Sequence, residues 1–206
     1  MIITHQGQTP RIDPSAWVAP DATVCGAVTL GPGVRVMHGA RIVGESGGRV
    51  TLGRDVIIYE NAVLRATSRH DRRIGNYTLI GPHAHVTGAE IADECYLATG
   101  VTVLPEAWLG PRCDVRVGAV VHLKTRLPEG TVVPVHWVAV GDPVEILPPD
   151  QHDSIWARQK PLDFPRTVFG VDRTAPDFMI TLTRKLSDDL APHRNDIIVD
   201  GAGAGI

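Results

Sequence analysis

A six-residue beat runs through most of this chain and limits its fold more than any single motif. Branched apolar residues recur at every sixth position as Val18, Val24, Leu30, Val36 and Ile42, resume after a connection as Leu52, Ile58 and Leu64, and resume again at Ile74 and Ile80. From Val86 one five-residue step leads to Ile91, and the beat then continues through Leu97, Val103, Leu109, Val115, Val121 and Leu127 to Val133. Four residues after most anchors the chain is small or β-branched, as at Ala22, Ala40, Ala62, Ala84, Cys95 and Ala119. A helix needs a period of 3.6 and a half-buried strand needs sustained alternation, so neither keeps phase over this length. The pattern is that of a hexapeptide β-solenoid, in which three short strands make one triangular turn and the branched anchor points into a stacked core. The fold class is therefore an all-β solenoid, a parallel β-helix of hexapeptide repeats, followed by C-terminal helices.

Composition narrows the range of partners. A formal charge of −3 on 206 residues leaves no basic footprint, which excludes nucleic acid and anionic membrane surfaces as expected partners. There is no apolar run of membrane-spanning length, and residues 1–5 lack a basic region followed by an apolar one, so a soluble cytoplasmic protein is expected. Three cysteines make neither a disulfide framework nor a zinc knuckle. Cys95 and Cys113, one solenoid turn apart, read as stacked core thiols, whereas Cys25, one after an anchor, reads as lying on an outer face.

Four stretches follow. Residues 1–17, with Pro10, Pro14 and Trp17, read as an irregular lead-in whose Trp caps the first turn; residues 18–147 form the β-helix. Residues 148–195 are helical, with one helix over 150–160 and a second over 175–190. The second places Phe178, Met179, Leu182 and Leu186 at helical spacing, as core residues against a solenoid face or a neighbouring subunit. Residues 196–206 read as a loose tail. Two connections, 45–49 and 67–73, leave the solenoid, the first read as flexible and the second as protruding, and such loops are where function tends to lie.

The strings Val24-Cys25-Gly26-Ala27-Val28-Thr29-Leu30-Gly31, Val50-Thr51-Leu52-Gly53-Arg54-Asp55, Ile74-Gly75-Asn76-Tyr77-Thr78-Leu79-Ile80-Gly81 and the closing Val138-Ala139-Val140-Gly141-Asp142-Pro143 carry a resemblance. Over residues 10–147 the chain resembles the γ-class carbonic anhydrase branch of the hexapeptide-repeat proteins. The resemblance implies a left-handed β-helix, a homotrimer and an active site between adjacent subunits, with zinc held by three histidines. The three ligand positions fall here on Arg65, Pro82 and Thr87, none of which binds zinc. The family's catalytic Arg and the Asp two residues later fall on Val43 and Glu45, and its Gln-Asp pair falls on Tyr59-Glu60. Setting Ala62-Val63-Leu64-Arg65 on the family's AVLRGD string would make Arg65 the catalytic arginine instead, but this requires deleting a whole turn.

Stacking turns about 4.8 Å apart turns the beat into columns. One column reads Val43, Arg65, Thr87, Leu104; another reads His38, Glu60, Pro82, Thr99; between them lies Arg41, Val63, His85, Thr102. His83, His85 and Glu60, with Arg65 and the loop residue His70, are therefore expected near the vacated zinc position. His70, His83 and His85 form one candidate metal set, with zinc as the metal. Without metal, Tyr59, Glu60, Arg65 and His85 form a candidate catalytic set: His83 or His85 is a general base, Arg65 an anion clamp, and Tyr59 or Glu60 a proton relay. The structural alternative makes the histidines interface hydrogen-bonders and pairs Arg65 with Glu60. His122 and His136 read as edge or subunit-contact hydrogen-bonders, and His5, His152 and His193 carry no assignment. Three functions compete: an altered intersubunit site that binds or acts on a small carbonyl, thioester or bicarbonate-like anion; an acyl-CoA-dependent hexapeptide transferase; and a non-catalytic trimeric scaffold.

Overall fold

The computed structural model describes residues 1–45, 47–66 and 72–199. The chain winds as a left-handed parallel β-helix whose three faces are one ten-stranded and two seven-stranded sheets. Eight parallel rungs of the ten-stranded face run from Ile2–Thr4 through Thr23–Gly26, Arg41–Gly44, Val63–Ala66, His85–Thr87, Thr102–Val103 and Val120–Val121 to Val138–Val140. Register follows the beat: Ile42, Leu64, Val86 and Val103 stack in line, as do Leu52, Ile74, Ile91 and Leu109. Every anchor from Val24 to Val133 is at most 3 % exposed, so the beat is the core.

Three residues after most anchors the backbone turns a corner in the left-handed region. Gly33, Gly39, Gly100, Gly118 and Gly130 stand at such corners, and so do Asp55, Asn61, Tyr77, His83, Glu94, Glu106, Arg112, Lys124 and His136, all with φ between 53° and 71°. A Cβ in this region costs roughly 1 kcal/mol, and the cost is tolerated because the flanking rungs fix the turn. His83 and His136 thus occupy turn-making positions. At Gly118 space decides as well as conformation, because a Cβ there would lie 2.3 Å from Nδ1 of His136 on the next turn.

The ladder starts before Val18. Residues 1–18 supply one strand to each face (Ile2–Thr4, Arg11–Ile12 and Trp17–Val18), and Trp17 lies 41 % exposed on the outside instead of over the core. Helix α1 spans His152–Gln159 and helix α2 spans Phe178–Leu190, close to the expected spans. On α2, Leu182 is buried and Phe178 and Leu186 are partly covered, but Met179 is 58 % exposed and does not pack on the solenoid face. Nor is the tail loose from its start: Ile197–Val199 pairs antiparallel with Ile2–Thr4. At the opposite end Glu145–Leu147 pairs antiparallel with Val138–Val140. Residues 148–196 therefore carry the chain back along the ten-stranded face from its last rung to its first. No helix among the described residues is long and apolar enough to cross a membrane.

The corner geometry makes a paired prediction. Lys124→Gly relieves a left-handed side chain and should raise the unfolding free energy by a few tenths to about 1 kcal/mol, the gain being reduced by glycine's greater freedom in the unfolded chain. Gly118→Ala should lower stability, because it adds both left-handed strain and the clash with His136. Thermal or urea unfolding of the two variants checks the opposite signs.

Candidate functional site

The site begins where the strand Arg41–Gly44 ends. A Cβ on Gly44 would lie 2.6 Å from the Ala27 carbonyl oxygen, and one on Gly26 would lie 2.1 Å from the Gly44 oxygen, so only glycines let these adjoining strands turn here. The next residue, Glu45, is not part of a loose connection: its side chain is 7 % exposed, and its carbonyl accepts a hydrogen bond from Gly48 N–H at 2.8 Å. Arg65, one rung above Val43, donates from Nε to Glu45 Oε1 at 2.5 Å. The other carboxylate oxygen of Glu45 lies 3.1 Å from His193 Nε2. His193 Nδ1 is 2.8 Å from Asp196 Oδ2, and Asp196 Oδ1 is 2.6 Å from Nδ1 of His5, which is itself only 3 % exposed. The two imidazoles stack with centroids 4.1 Å apart. A continuous polar chain therefore runs Arg65–Glu45–His193–Asp196–His5 and ties both chain ends to the middle of the long sheet.

Electrostatics follow from that chain. Burial alone would push the Glu45 carboxyl up, but hydrogen bonds from Arg65 and His193 outweigh it and hold it below the usual range. Asp196 is likewise lowered, with burial opposed by His193 and His5. Burial disfavours the His193 cation, yet its bonds to Asp196 and Glu45 raise its pKa. Cys25 points outward in the same column as Val43 and Arg65, as its position predicts, but it is buried under this clasp. Burial and then the charges of Asp196 and Glu45 push its thiol up to about 11.

On the other side of Arg65 a pocket of about 380 Å³ opens between the ten-stranded sheet and the C-terminal helices. Arg65, His85, Thr87 and Leu104 form its floor, and Phe164, Val168, Phe169, Leu186 and Leu190 form its apolar walls. The rings of Phe164 and Phe169 meet edge to face at 5.8 Å. Lys185 lies at its rim, paired with Asp189 at 2.9 Å. His85 Nε2 and Thr87 Oγ1 are 2.7 Å apart. Burial, and then the Arg65 charge, lower the His85 pKa, so the imidazole is neutral near pH 7.

The expected columns are observed: Arg65 pairs with Val43 and Thr87, and His85 with Val63 and Thr102. Of the candidate residues, Arg65 and His85 share the pocket. Tyr59, Glu60 and His83 do not line it; His83 sits at a solvent-exposed corner, where its N–H donates to the Glu60 carbonyl at 3.0 Å. The partner of Arg65 is Glu45, not Glu60. His70 lies outside the described residues. The positions at which the resemblance implies zinc do not fit the metal: Arg65 is a cation held on Glu45, Pro82 has no donor side chain, and the Thr87 hydroxyl is engaged with His85. His83 and His85 belong to no group of converging donors among the described residues; the group that does converge is His5, Cys25, His193 and Asp196. His122, read as an edge hydrogen-bonder, is buried, and its Nδ1 has no partner among the described residues.

The sequence reading missed Glu45 and the clasp residues His5, His193 and Asp196, and it placed Cys25 in the open. Only Glu45 carried a signal, since it stands at the position where the resemblance implies a functional Asp. The clasp has a pH signature in metal-free protein. Because the His193 pKa is raised, its contribution is complete below about pH 6.5 and is lost as pH rises through the raised value. Because Glu45 and Asp196 are lowered, theirs is complete above about pH 4.5 and is lost as pH falls through the depressed values. Thermal stability measured with chelator present should peak in the mildly acidic window between these limits, and His193→Gln should abolish the decline on its alkaline side.

No family model matches the chain. Among curated proteins it is similar to "Gamma carbonic anhydrase 1, mitochondrial" of Arabidopsis thaliana, 30 % identical over 131 residues that cover 61 % of this chain and 47 % of the relative. It is also similar to "Gamma carbonic anhydrase 3, mitochondrial" of the same plant, 31 % identical over 101 residues covering 46 % and 39 %. The chain thus spans about half the length or less of these relatives. Among solved structures, a hexapeptide transferase family protein from Anaplasma phagocytophilum superposes with a TM-score of 0.57 at 20 % identity, over 78 % of this chain and 90 % of that one, which shows the fold alone. Repeat, fold and relatives agree: the chain is a hexapeptide-repeat parallel β-helix protein that is similar over 131 residues to γ-carbonic anhydrases.

Proposed function

We propose that the pocket between the long sheet and α2 binds, and acts on, a small carboxylate or carbonyl compound with an apolar body, without the zinc-dependent CO2 hydration of the usual site. The carrying observation is the placement of Arg65. Glu45 holds one edge of its guanidinium, so the cation is fixed in orientation while its 39 % exposed side chain borders the pocket. A guanidinium oriented in this way recognises a carboxylate with two parallel N–H···O bonds. His85 supplies a neutral imidazole on the same floor, suited to accept a proton from a bound substrate or water, and the Thr87 hydroxyl orients it. The phenylalanine and leucine walls favour an apolar substituent.

Homotrimeric assembly is part of this reading. It rests on the resemblance, and on one seven-stranded face a column of exposed or half-exposed residues supports it, running Trp17, Arg35, Ile57, Leu79, Tyr96, Asp114 and Val132, apolar but for Arg35 and Asp114. A cytoplasmic location accords with three buried, free thiols.

A panel of short-chain and aromatic carboxylates and keto acids, screened by thermal shift, should include stabilising ligands. Arg65→Gln should abolish that stabilisation and itself lower unfolding free energy by roughly 1–3 kcal/mol, because it strands the buried Glu45 while His193 still compensates in part. CO2 hydration should stay at background. No stabilisation by any carboxylate would sink the reading, and stabilisation by acetyl-CoA alone would favour a transferase. Light scattering should give about three times the 22.2 kDa chain mass.

A further inference from the structure

We propose that His5, Cys25, His193 and Asp196 form a tetrahedral zinc site that locks the two ends of the chain together, at a place separate from the substrate pocket. Each residue offers one ligand atom, and the four atoms lie within 4.8 Å of one another. Zinc bonds of about 2.0–2.3 Å require donor separations of about 3.4–3.8 Å, so closure onto the ion needs side-chain movement on the order of 1 Å or less. The Nδ1 atoms of both His5 and His193 already converge on the Asp196 carboxylate.

Two further features belong to a metal centre. The far nitrogen of His193 faces Glu45 Oε2 at 3.1 Å, and Glu45 is itself fixed by Arg65. A carboxylate behind a histidine in this way sets its tautomer and raises its basicity toward a metal on the other nitrogen. Charge also balances: a thiolate and one carboxylate neutralise Zn2+, two neutral imidazoles complete the shell, and Glu45 is left facing the Arg65 cation. Binding displaces the Cys25 thiol proton and the proton of the His193 imidazolium, so affinity falls as pH falls. The buried Cys25 and His5 keep the centre from water, and His193, 32 % exposed, gives the ion a way in.

Full-length protein stripped with chelator and then given Zn2+ should retain one zinc per chain and melt several degrees higher. Co2+ in place of zinc should produce a thiolate-to-metal charge-transfer band. Cys25→Ser should remove that band, and His5→Ala should weaken zinc binding at least about tenfold, the size expected for losing a metal contact. His85→Gln should bind zinc as the parent does. Absence of retained zinc, or of the cobalt–thiolate band in the unmodified protein, overturns the proposal, and this reading does not depend on any variant folding. Zinc lost from His85→Gln but kept by Cys25→Ser would place the metal in the pocket and overturn it equally.

Discussion

Every positional statement about this molecule depends on the in-register stacking of rungs. One branched anchor per strand, turned inward and placed over the anchor below, satisfies the backbone ladder and fills a narrow interior at once. Because side chains alternate along each strand, fixing the inward set also fixes the outward one. Arg65 and His85 point from the same strand pair onto the same face for this reason alone. The corners add a second constraint: left-handed backbone three residues after Ile80 and Val133 assigns His83 and His136 to turns, which removes them from competition for the pocket.

The rest of the site comes from the returning C-terminal segment. Without it the outward column of Cys25, Val43, Arg65 and Thr87 would be a solvated ridge. With it, the first part of the column is sealed by His193 and Asp196, and the later part becomes the floor of an apolar pocket. Glu45 stands at the junction and bonds both ways, to Arg65 on the pocket side and to His193 on the clasp side. The clasp and the guanidinium thus share a single carboxylate.

Solenoid, face count and columns were legible because they repeat a local geometry many times, and phase kept over so many steps leaves one solution. The two helices were legible from spacing and punctuation. Glu45, His193, Asp196 and His5 were not, because their encounter joins residues 148 and 191 positions apart and leaves no periodic trace. Nor did helical spacing show that Met179 faces solvent, since an amphipathic stripe states which residues share a side and not how far the opposing surface reaches. Arg65 was placed correctly, but its partner was misread: nearness along the columns suggested Glu60, whereas the turn after Gly44 brings Glu45 closer.

Solenoids have open ends, and an unpaired parallel rung is a template on which another molecule can add. On the widest face of this one, both ends carry a strand of reversed polarity, Glu145–Leu147 at one and Ile197–Val199 at the other. A further rung in the parallel sense cannot continue the ladder there, so filament growth by end-to-end stacking is blocked on that face. The reversed strand at the first end leaves Ile197 and Ile198 about 60 % exposed. The reversed strand that covers the first rung is thus held, through Asp196, by two histidines.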